Sequence, residues 1–260
     1  MKVILHFILG LFIGSFLNCI IYRLKRGESF LKGRSFCPYC KHTLSWKDLI
    51  PLFSFIILKG HCRYCKKKIS LQYPLVELFT AFLFTSSLFL PFPSILVTGA
   101  MAIVTRIFLL IIFSFLILIF VFDLKYYSIP DKIIYPAILI SFLYLLYFSF
   151  FVLHSFSYFL YSLFSTFCFA FFFFSLWFFS KGKAMGFGDW EVVVFLGFFL
   201  GFPKILICVF FAFFLGAIVG AILVLLKKKT LKSEIPFAPF LVISALISLF
   251  FLEFIGTGFL

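Results

Sequence analysis

Two short stretches of the chain place carboxyl groups at the edges of apolar segments. In VFDLKYYSIPDK, Asp123 follows a long apolar run and Asp131 precedes another, and in KAMGFGDWEVVV, Asp189 follows two glycines. Asp and Glu together number only 9 in 260 residues, so the position of each acidic residue is informative. Acids at helix ends are ordinarily interfacial charges. Two carboxyl groups within about 3 Å of each other can instead share one proton and hydrolyse a peptide bond.

Asp123 and Asp189 are the candidates for such a catalytic pair, because each lies where an apolar run meets a polar loop. The ionised member would take a proton from water while the protonated member polarises the scissile carbonyl. Gly186 and Gly188 are predicted to shape the second loop, by adopting positive φ and by letting a peptide backbone approach Asp189. Asp131 directly precedes an apolar run, and we expect it to cap that helix rather than to do chemistry.

Four cysteines form a second motif with chemical meaning. Cys37, Cys40, Cys62 and Cys65 have the spacing C-x2-C-x21-C-x2-C. This spacing is typical of Zn²⁺ held tetrahedrally by four thiolates. The alternative is a pair of turns whose thiols are oxidised or simply reduced, and disulfides are disfavoured in a cytoplasmic segment. The sequence therefore predicts a structural zinc site.

The composition determines where the elements that carry these residues must lie. Hydrophobic residues make up 64% of the chain and charged residues 12%, which places it in a bilayer. A spanning helix needs about 20 apolar residues. The predicted fold class is an all-α polytopic membrane protein with about eight transmembrane helices and a small cytoplasmic zinc-knuckle-like subdomain. The predicted segments are residues 3–22, 74–92, 95–122, 133–153, 158–179, 190–202, 205–226 and 237–252, of which 190–202 is short enough to reach only half-depth.

The positive charge of the chain predicts its orientation. The net charge is +14, and twelve of the 23 Lys and Arg residues lie between Arg23 and Lys68. Most of the others flank loops on the same side of an alternating helix bundle, so the positive-inside rule places these loops in the cytoplasm. The excess of basic residues is therefore explained by the orientation of the chain in the membrane, and no nucleic-acid partner is expected.

The sequence divides into three predicted parts. Residues 1–22 form the first transmembrane helix, residues 23–73 the cytoplasmic subdomain with the cysteines, and residues 74–260 a membrane-embedded helical domain. The subdomain is too short to build a core unaided, so metal binding would supply folding free energy. Glycines four residues apart predict close helix contacts. These pairs are Gly10 with Gly14, Gly197 with Gly201, and Gly216 with Gly220.

Six ordered motifs give the chain a family resemblance over nearly its whole length. The chain resembles the type IV prepilin peptidase family, also called prepilin leader peptidase/N-methyltransferase, whose members are GxGD membrane aspartic proteases. GSFLNCIIYRL resembles the signature of its first helix, the paired CxxC turns resemble its cytoplasmic domain, and YPLVEL resembles the segment that follows. DLKYYSIPD and GFGD resemble its two catalytic-aspartate motifs. PFAPFL resembles a late element that usually has glycine at the position of Ala238, and Lys25 stands where proline is frequent.

The resemblance implies a catalytic dyad of Asp123 and Asp189, with Gly186 and Gly188 shaping the second loop. It implies an endopeptidase in the bacterial inner membrane, with its catalytic loops in the cytoplasm. This enzyme would cut the basic leader from type IV prepilins or pseudopilins and N-methylate the new N-terminal residue with S-adenosylmethionine. The alternatives are a peptidase without methylation and a non-catalytic membrane scaffold or transporter. Glu77 is open between a boundary carboxylate and part of a substrate or methyl-transfer site.

Overall fold

The protein is built from helices, as the sequence predicts. The computed structural model describes residues 1–29, 33–90, 99–182, 185–227 and 235–255, and these residues contain no β-structure beyond two isolated bridges. A short 3₁₀ turn covers Trp46–Asp48, and a π-helical turn, Phe148–Val152, extends α5. The α-helices are α1 Lys2–Lys25, α2 Phe53–Ile57, α3 Gln72–Ser86, α4 Ala100–Tyr126, α5 Asp131–Tyr147, α6 Phe156–Ser180, α7 Phe187–Leu200, α8 Lys204–Leu225 and α9 Ala238–Ile255.

The chain forms two compact units. The first is Met1–Leu90 and contains α1, the cysteine-bearing subdomain, α2 and α3. The second is Pro91–Leu260 and contains α4 to α9. The three-part division made from the sequence, with boundaries after residues 22 and 73, stays a prediction.

Among the described residues, five helices are long and apolar enough to cross a membrane. They are α1, α4, α5 with its π-helical extension, α6 and α8. The other apolar helices are shorter: α3 has 15 residues, α7 has 14, and α9 is apolar over Ala238–Phe250. At about 1.5 Å per residue, α3 and α7 are only about 22 Å long, against a hydrocarbon core of about 30 Å. The predicted count of about eight spans is therefore not confirmed.

Small residues join the two long helices of the first unit. A Cβ atom on Gly10 would lie 2.5 Å from the Cα of Ala81, and one on Gly14 would lie 2.7 Å from the Cα of Glu77. Only glycine permits the backbones of α1 and α3 to approach so closely. The prediction made from this glycine pair is confirmed.

The two other glycine pairs behave differently. A Cβ on Gly197 would lie 2.5 Å from Oγ1 of Thr166, so α6 and α7 are in close contact there. Gly201 ends α7 as its C-cap, with φ of 64°. Among the described residues, the nearest atoms to added Cβ atoms at Gly216 and Gly220 would lie at 3.5 and 3.8 Å, respectively. The prediction of close backbone approach is wrong at this last pair, because side chains rather than another backbone face it.

Helix α7 lies at the centre of the second unit. It packs against α5, α6 and α9, while α4 packs against α5 and α9. Ten of the 14 residues of α7 are buried, which fits a helix that is apolar on all sides. The first turn of α7 carries Asp189, so the packing of α7 fixes the position of that carboxyl group.

We expect Gly10→Ala to destabilise the first unit, because its Cβ would collide with the α3 backbone. Overpacking of this kind typically costs about 1–3 kcal/mol. The matched control is Gly220→Ala, whose Cβ finds only an ordinary contact at 3.8 Å. Thermal unfolding of the full chain in detergent should show a lower midpoint for Gly10→Ala alone. Equal midpoints for the two variants would contradict the close packing of α1 and α3.

Candidate active site and metal centre

Asp123 lies in the last turn of α4 and is buried, with 8% of its surface exposed. Its Oδ2 accepts a hydrogen bond of 3.0 Å from the backbone N–H of Ala238, the first residue of α9. A helix N-terminus carries partial positive charge and unsatisfied N–H groups, so it favours an anion. Tyr127 ends α4 in the left-handed conformation. The C-terminal end of α4 and the N-terminal end of α9 therefore meet at the Asp123 carboxyl group.

Asp189 is the third residue of α7 and is also buried, with 7% exposed. Its Oδ2 accepts a hydrogen bond of 3.1 Å from the backbone N–H of Gly186, so the carboxyl group caps its own helix. The carboxyl groups of Asp189 and Asp123 are close enough to interact electrostatically. Both predicted catalytic acids thus lie inside the second unit, each held by one backbone N–H, and the charge of Asp123 acts on Asp189.

The two glycines before Asp189 do not act through positive φ, and that expectation is wrong. Gly186 is the extended N-cap of α7, with φ of −69°, and Gly188 lies in the first helical turn. Neither has a left-handed backbone. A Cβ on Gly186 would lie 3.5 Å from Oδ2 of Asp189, and one on Gly188 would lie 3.6 Å from Cδ1 of Ile129. Glycine here leaves space beside the carboxyl group instead of enabling an unusual turn.

Asp131 does not cap α5, contrary to the expectation from the sequence. The N-cap of α5 is Pro130 and it has no side-chain capping bond, while Asp131 is the first helical residue. Asp131 is exposed. A negative charge in the first turn still interacts favourably with the helix dipole, so the role of Asp131 is electrostatic.

Sequence reasoning missed two polar contributors near the candidate dyad. Glu191 is 4% exposed and lies close enough to Tyr135 on α5 for the two side chains to interact electrostatically. The available signal was an acid two residues after Asp189 in an otherwise apolar run. The second contributor is the backbone N–H of Ala238. The sequence marks the motif around Ala238. The acceptor of the Ala238 N–H, Asp123, lies 115 residues away, so no local pattern reveals this hydrogen bond.

The four predicted cysteine ligands come together in the first unit. The sulfur atoms of Cys37, Cys40, Cys62 and Cys65 all lie within 4.8 Å of one another, and all four thiols are free. The sulfurs of Cys37 and Cys65 are 3.9 Å apart. Tetrahedral Zn²⁺ with Zn–S bonds of about 2.3 Å separates its sulfurs by about 3.8 Å. The cluster can therefore hold a metal ion and is compatible with zinc.

Two similar backbone turns present the thiols. The N–H of Cys37 donates to the carbonyl of His42 at 3.0 Å, and the N–H of Cys62 donates to the carbonyl of Lys67 at 2.8 Å. In each turn, the lysine that follows the second cysteine has a positive φ. Each turn thus folds back on itself, so that both of its thiols face the same point.

The thiols differ in how readily they ionise. Burial raises the pKa of Cys37, but backbone N–H groups of Cys40 and Tyr39 hydrogen-bond its sulfur and lower this pKa to about 7. The backbone N–H of Lys67 lowers the pKa of Cys65, but desolvation and the neighbouring thiols raise it to about 11. Four neighbouring thiolates repel one another, so a bound cation favours ionisation of the whole set.

Asp48 ties the second cysteine turn to the 3₁₀ turn. Its side chain is 3% exposed, and its Oδ1 forms an ion pair of 2.7 Å with Nε of Arg63. Its Oδ2 accepts from the hydroxyl of Tyr64 at 3.1 Å and from the hydroxyl of Ser45 at 2.8 Å. Burial alone would raise the pKa of Asp48, but these hydrogen bonds outweigh it and hold the pKa below its usual range. The ionised carboxylate therefore fixes the turn that carries Trp46.

Comparison with known proteins assigns the chain to a family. Residues 8–90 match the Bacterial Peptidase A24 N-terminal domain, and residues 110–221 match the Type IV leader peptidase family. A prepilin leader peptidase/N-methyltransferase of Klebsiella pneumoniae is 31% identical over 205 residues, covering 76% of this chain and 85% of the relative. The chain belongs to the type IV leader peptidase family.

Other members of the leader peptidase family are similar over different lengths. A relative from Pectobacterium carotovorum subsp. carotovorum is 29% identical over 91% of this chain and 88% of its own length. One from Myxococcus xanthus is 49% identical over 82 residues, covering 32% of this chain and 24% of its own. Both carry the name prepilin leader peptidase/N-methyltransferase. No solved structure matches the chain.

We expect the purified leader peptidase chain to contain about one metal ion, held by the four thiolates. Cys37→Ser should remove it, because three thiolates and a hydroxyl bind Zn²⁺ far more weakly. Cys168→Ser is the matched control, since Cys168 is an exposed thiol of α6 outside the cluster. Metal content by mass spectrometry checks the prediction. A metal-free wild-type chain that is folded and active would contradict it.

We also expect Ala238→Pro to slow leader cleavage by about tenfold or more, because it deletes the N–H that Asp123 accepts. Proline is well tolerated at the first position of a helix, so the change removes mainly the donor. Ala238→Gly keeps the N–H and should cleave at close to the wild-type rate. Single-turnover cleavage measures the effect, with the thermal midpoint as a check on folding. Normal cleavage by a folded proline variant would show that the hydrogen bond is dispensable.

Proposed function

We propose that this leader peptidase-family chain removes the basic leader from type IV prepilins or pseudopilins and N-methylates the new N-terminal residue. The family match over residues 110–221 and the names of the relatives support both activities. The observation that carries peptide hydrolysis is the pair of buried carboxyl groups on Asp123 and Asp189. Their burial and mutual proximity are what an aspartic dyad requires.

In the proposed mechanism the two carboxyl groups hold one proton between them. Two negative charges that interact in a poorly hydrated site repel each other, so the ionisation of the second carboxyl group is disfavoured. The ionised carboxylate takes a proton from water as the water attacks the scissile carbonyl. The protonated partner donates to the carbonyl oxygen, and the proton taken from water leaves with the amine. The pair, rather than either residue alone, carries these roles.

The helix N-termini keep the dyad in place during this reaction. The N–H of Ala238 orients Asp123, and the N–H of Gly186 orients Asp189. Each bond occupies Oδ2, which leaves the other oxygen of each carboxyl group to face water or peptide. Gly186 places no side chain beside the Asp189 carboxyl group, and we propose that an extended peptide backbone approaches Asp189 on this side, past Gly186 and Gly188.

The substrate class explains why the dyad lies at the end of a membrane helix. A prepilin joins a basic leader to an apolar helix, so its scissile bond emerges at the membrane boundary. Asp123 lies within one turn of the C-terminal end of α4, which is a candidate span. A peptide bond at that boundary can reach Asp123 without its apolar helix leaving the lipid.

We place this end of the second unit in the cytoplasm. The contacts of Asp123 bring the end of α4, the start of α7 and the start of α9 to one level. Lys125 is at the end of α4, Lys132 at the start of α5, Lys181 directly after α6 and Lys227 just after α8, and this clustering of lysines is what the positive-inside rule requires of a cytoplasmic side. We further propose that α3, α7 and α9 enter the membrane beside the five longer helices, giving about eight helices in a bacterial inner membrane.

Two further components complete the proposed activity. Zinc is the metal we assign to Cys37, Cys40, Cys62 and Cys65, with a structural role because all four positions are thiolates. For the second reaction, the new pilin N-terminus would receive its methyl group from S-adenosylmethionine, which when bound would supply an electrophilic CH₃ group to the neutral amine and keep the C–S electron pair on sulfur, with the amine proton passing to water.

We expect Asp123→Asn and Asp189→Asn each to abolish leader cleavage, because an amide can neither accept a proton from water nor share one. Asp131→Asn is the matched control, since Asp131 is an exposed acid at the first position of α5. The assay co-expresses each variant with a prepilin and compares the mass of the product. Membrane insertion and thermal stability of each variant are measured in parallel. Cleavage by either inserted asparagine variant would reject the dyad and, with it, the hydrolytic proposal.

A further inference from the structure

The first unit contains a charge-free apolar segment that neither the candidate dyad nor the metal centre explains. This apolar segment, residues 49–58, reads LIPLFSFIIL and lies between Asp48 and Lys59. A run of about ten apolar residues is too short to span a bilayer, and it is typical of a core helix or of a re-entrant or interfacial segment. The exposure of its side chains distinguishes these alternatives.

The apolar segment presents one open apolar face. Phe53, Ile56 and Ile57 are 62%, 68% and 72% exposed, and their spacing puts them on one face of α2. Phe55 faces the cysteine-bearing subdomain instead, since a Cβ on Gly60 would lie 3.1 Å from its ring. The apolar segment is therefore not a core helix, and its open face needs an apolar environment.

Contacts between α1 and α3 show how deep the apolar segment lies. Nδ2 of Asn18 donates to the carbonyl of Tyr73 at 3.1 Å. One turn further from the basic end of α1, a Cβ on Gly14 would lie 2.7 Å from the Cα of Glu77. Gly14 precedes Arg23 by nine residues, which is about 13 Å along a helix axis. Glu77 therefore lies at a level about 13 Å inward from the basic end of α1.

Arg23 marks one boundary of the hydrocarbon core. Helix α1 is a candidate span, and no Lys, Arg, Asp or Glu lies between Lys2 and Arg23. These two residues are about 32 Å apart along the helix, which matches a hydrocarbon core of about 30 Å. Arg23 also donates to the carbonyls of Gly33 and Arg34, so it holds the following loop at this boundary. Glu77 thus lies at the depth of the acyl chains.

A hydrogen bond holds the apolar segment at the level of Glu77. Oε2 of Glu77, a buried residue, accepts a hydrogen bond of 2.9 Å from the backbone N–H of Leu52. Leu52 has a φ of 60°, and the N–H of Phe53 donates to the carbonyl of Pro51 at 2.7 Å. This is a γ-turn of the rare, strained kind. The sharp turn at Leu52 is therefore kept at the depth of Glu77.

The backbone of the apolar segment finds hydrogen-bond partners within the protein. The N–H groups that donate to carbonyl groups of residues 50–56 are those of Phe53, Ser54, Ile56, Leu58, Lys59 and Gly60. The N–H of Leu52 precedes the helix, and Glu77 supplies its acceptor. In lipid, each backbone N–H must find its acceptor in the protein, because no water is available. This pattern is what insertion into the hydrocarbon region requires.

The two ends of the apolar segment meet. Asp48, directly before it, forms an ion pair of 2.7 Å with Arg63 and accepts a hydrogen bond of 3.1 Å from the hydroxyl of Tyr64. Both partners belong to the second CxxC turn, which follows the segment closely. A loop whose ends meet enters and leaves the membrane on the same side.

A groove beside the apolar segment opens along α1. Its walls include Phe12 and Phe16 of α1 and, opposite them, Trp46 and Leu49. Phe12 and Phe16 are exposed and lie about 16 and 10 Å from Arg23 along the helix. The described lining contains no acid, and Arg23, its charged member, already donates to backbone carbonyls. The groove therefore does not fit S-adenosylmethionine, and its apolar walls suit acyl chains.

We propose that the apolar segment is re-entrant and inserts into the lipid leaflet beside α1, with its open face against acyl chains. Lys47 and Lys59 flank it and extend to the headgroups. Glu77 is a positioning residue for the turn at Leu52, which favours the boundary carboxylate among the roles left open for it. The inference requires α1 to cross the membrane and is independent of the proposed cleavage and methylation.

The first test asks whether the open face meets lipid. The three tryptophans of the full chain are replaced by phenylalanine, and Ile57→Trp then introduces a single fluorophore. The protein is reconstituted in phosphatidylcholine vesicles with or without bromine on the acyl chains. We expect brominated lipid to lower the emission of the Ile57→Trp chain by about half or more, and aqueous iodide to have little effect. Metal content and the thermal midpoint check folding.

Two further single-tryptophan chains serve as controls. Tyr39→Trp is the matched control, because Tyr39 is an exposed aromatic residue of the first CxxC turn, outside the apolar segment. We expect iodide to quench it and brominated lipid to change its emission by less than about a tenth. Phe12→Trp reports on α1 and should be quenched by brominated lipid, since Phe12 is exposed near the middle of the span.

Three results would overturn the proposal. Quenching of Ile57→Trp by iodide, with Phe12→Trp quenched by brominated lipid, would place the open face in water. Protection of Ile57→Trp from both quenchers would show that protein covers this face, as another part of the chain, a second copy or a pilin. A Phe12→Trp chain that brominated lipid does not quench would remove the premise that α1 crosses the membrane.

The second test concerns Glu77 and uses the Ile57→Trp chain. Glu77→Leu leaves the N–H of Leu52 without an acceptor, so we expect quenching by brominated lipid to fall at least about twofold. Glu77→Gln keeps an oxygen for that N–H and should retain most of the quenching. Equal losses in the two variants would show that the carboxyl group acts through its charge. Full quenching in Glu77→Leu would show that the hydrogen bond is dispensable, and either result rejects the positioning role.

Discussion

The hydrogen bond from Ala238 to Asp123 joins two residues 115 positions apart, and the geometry of the second unit depends on it. A carboxyl group at the C-terminal end of a helix faces carbonyl oxygens and is poorly placed for negative charge. The start of α9 compensates for this at Asp123. The backbone N–H of Ala238 has no acceptor within its own helix and donates to the carboxyl oxygen of Asp123. Asp189 needs no distant partner, since it caps its own helix through Gly186. Two buried acids can therefore lie near each other while each keeps a polar contact that burial would otherwise remove.

The first unit contains a short polar segment that must be ordered beside a membrane helix. The segment between α1 and α3 has few buried apolar side chains, so close packing cannot hold it. Four thiols on two similar turns provide a centre, and the buried carboxylate of Asp48 carries that order to the turn bearing Trp46. Glu77 then connects the turn before α2 to α3 through its bond to Leu52. A chain of polar contacts thus substitutes for a hydrophobic core.

The sequence predicted the features that have local signals. Long apolar runs predicted the helices, and the spacing of the cysteines predicted their convergence, because tight CxxC turns fix the positions of both sulfurs. The features it could not predict are set by distant residues or by small differences in length. The partner of Asp123 belongs to the last helix, and the partner of Glu77 is a backbone N–H that no side-chain pattern reveals. Gly186 and Gly188 suggested a left-handed turn, but α7 starts early enough to absorb Gly188 into its first turn. The shortness of α3 was hidden because apolar residues continue past its end, whereas the shortness of α7 was expected from the brief apolar run 190–202.

The position of α9 at the C-terminal end of the chain has a consequence for the biosynthesis of the protein. Ribosomes deliver α4 and α7 to the membrane before Ala238 has been synthesised, so a nascent chain already carries both acids. Its Asp123 nevertheless lacks its donor until the final helix is released and docks. Under the proposed mechanism, proteolytic competence is therefore acquired only after synthesis of the last helix, and a chain terminated upstream of residue 238 would lack the donor to Asp123.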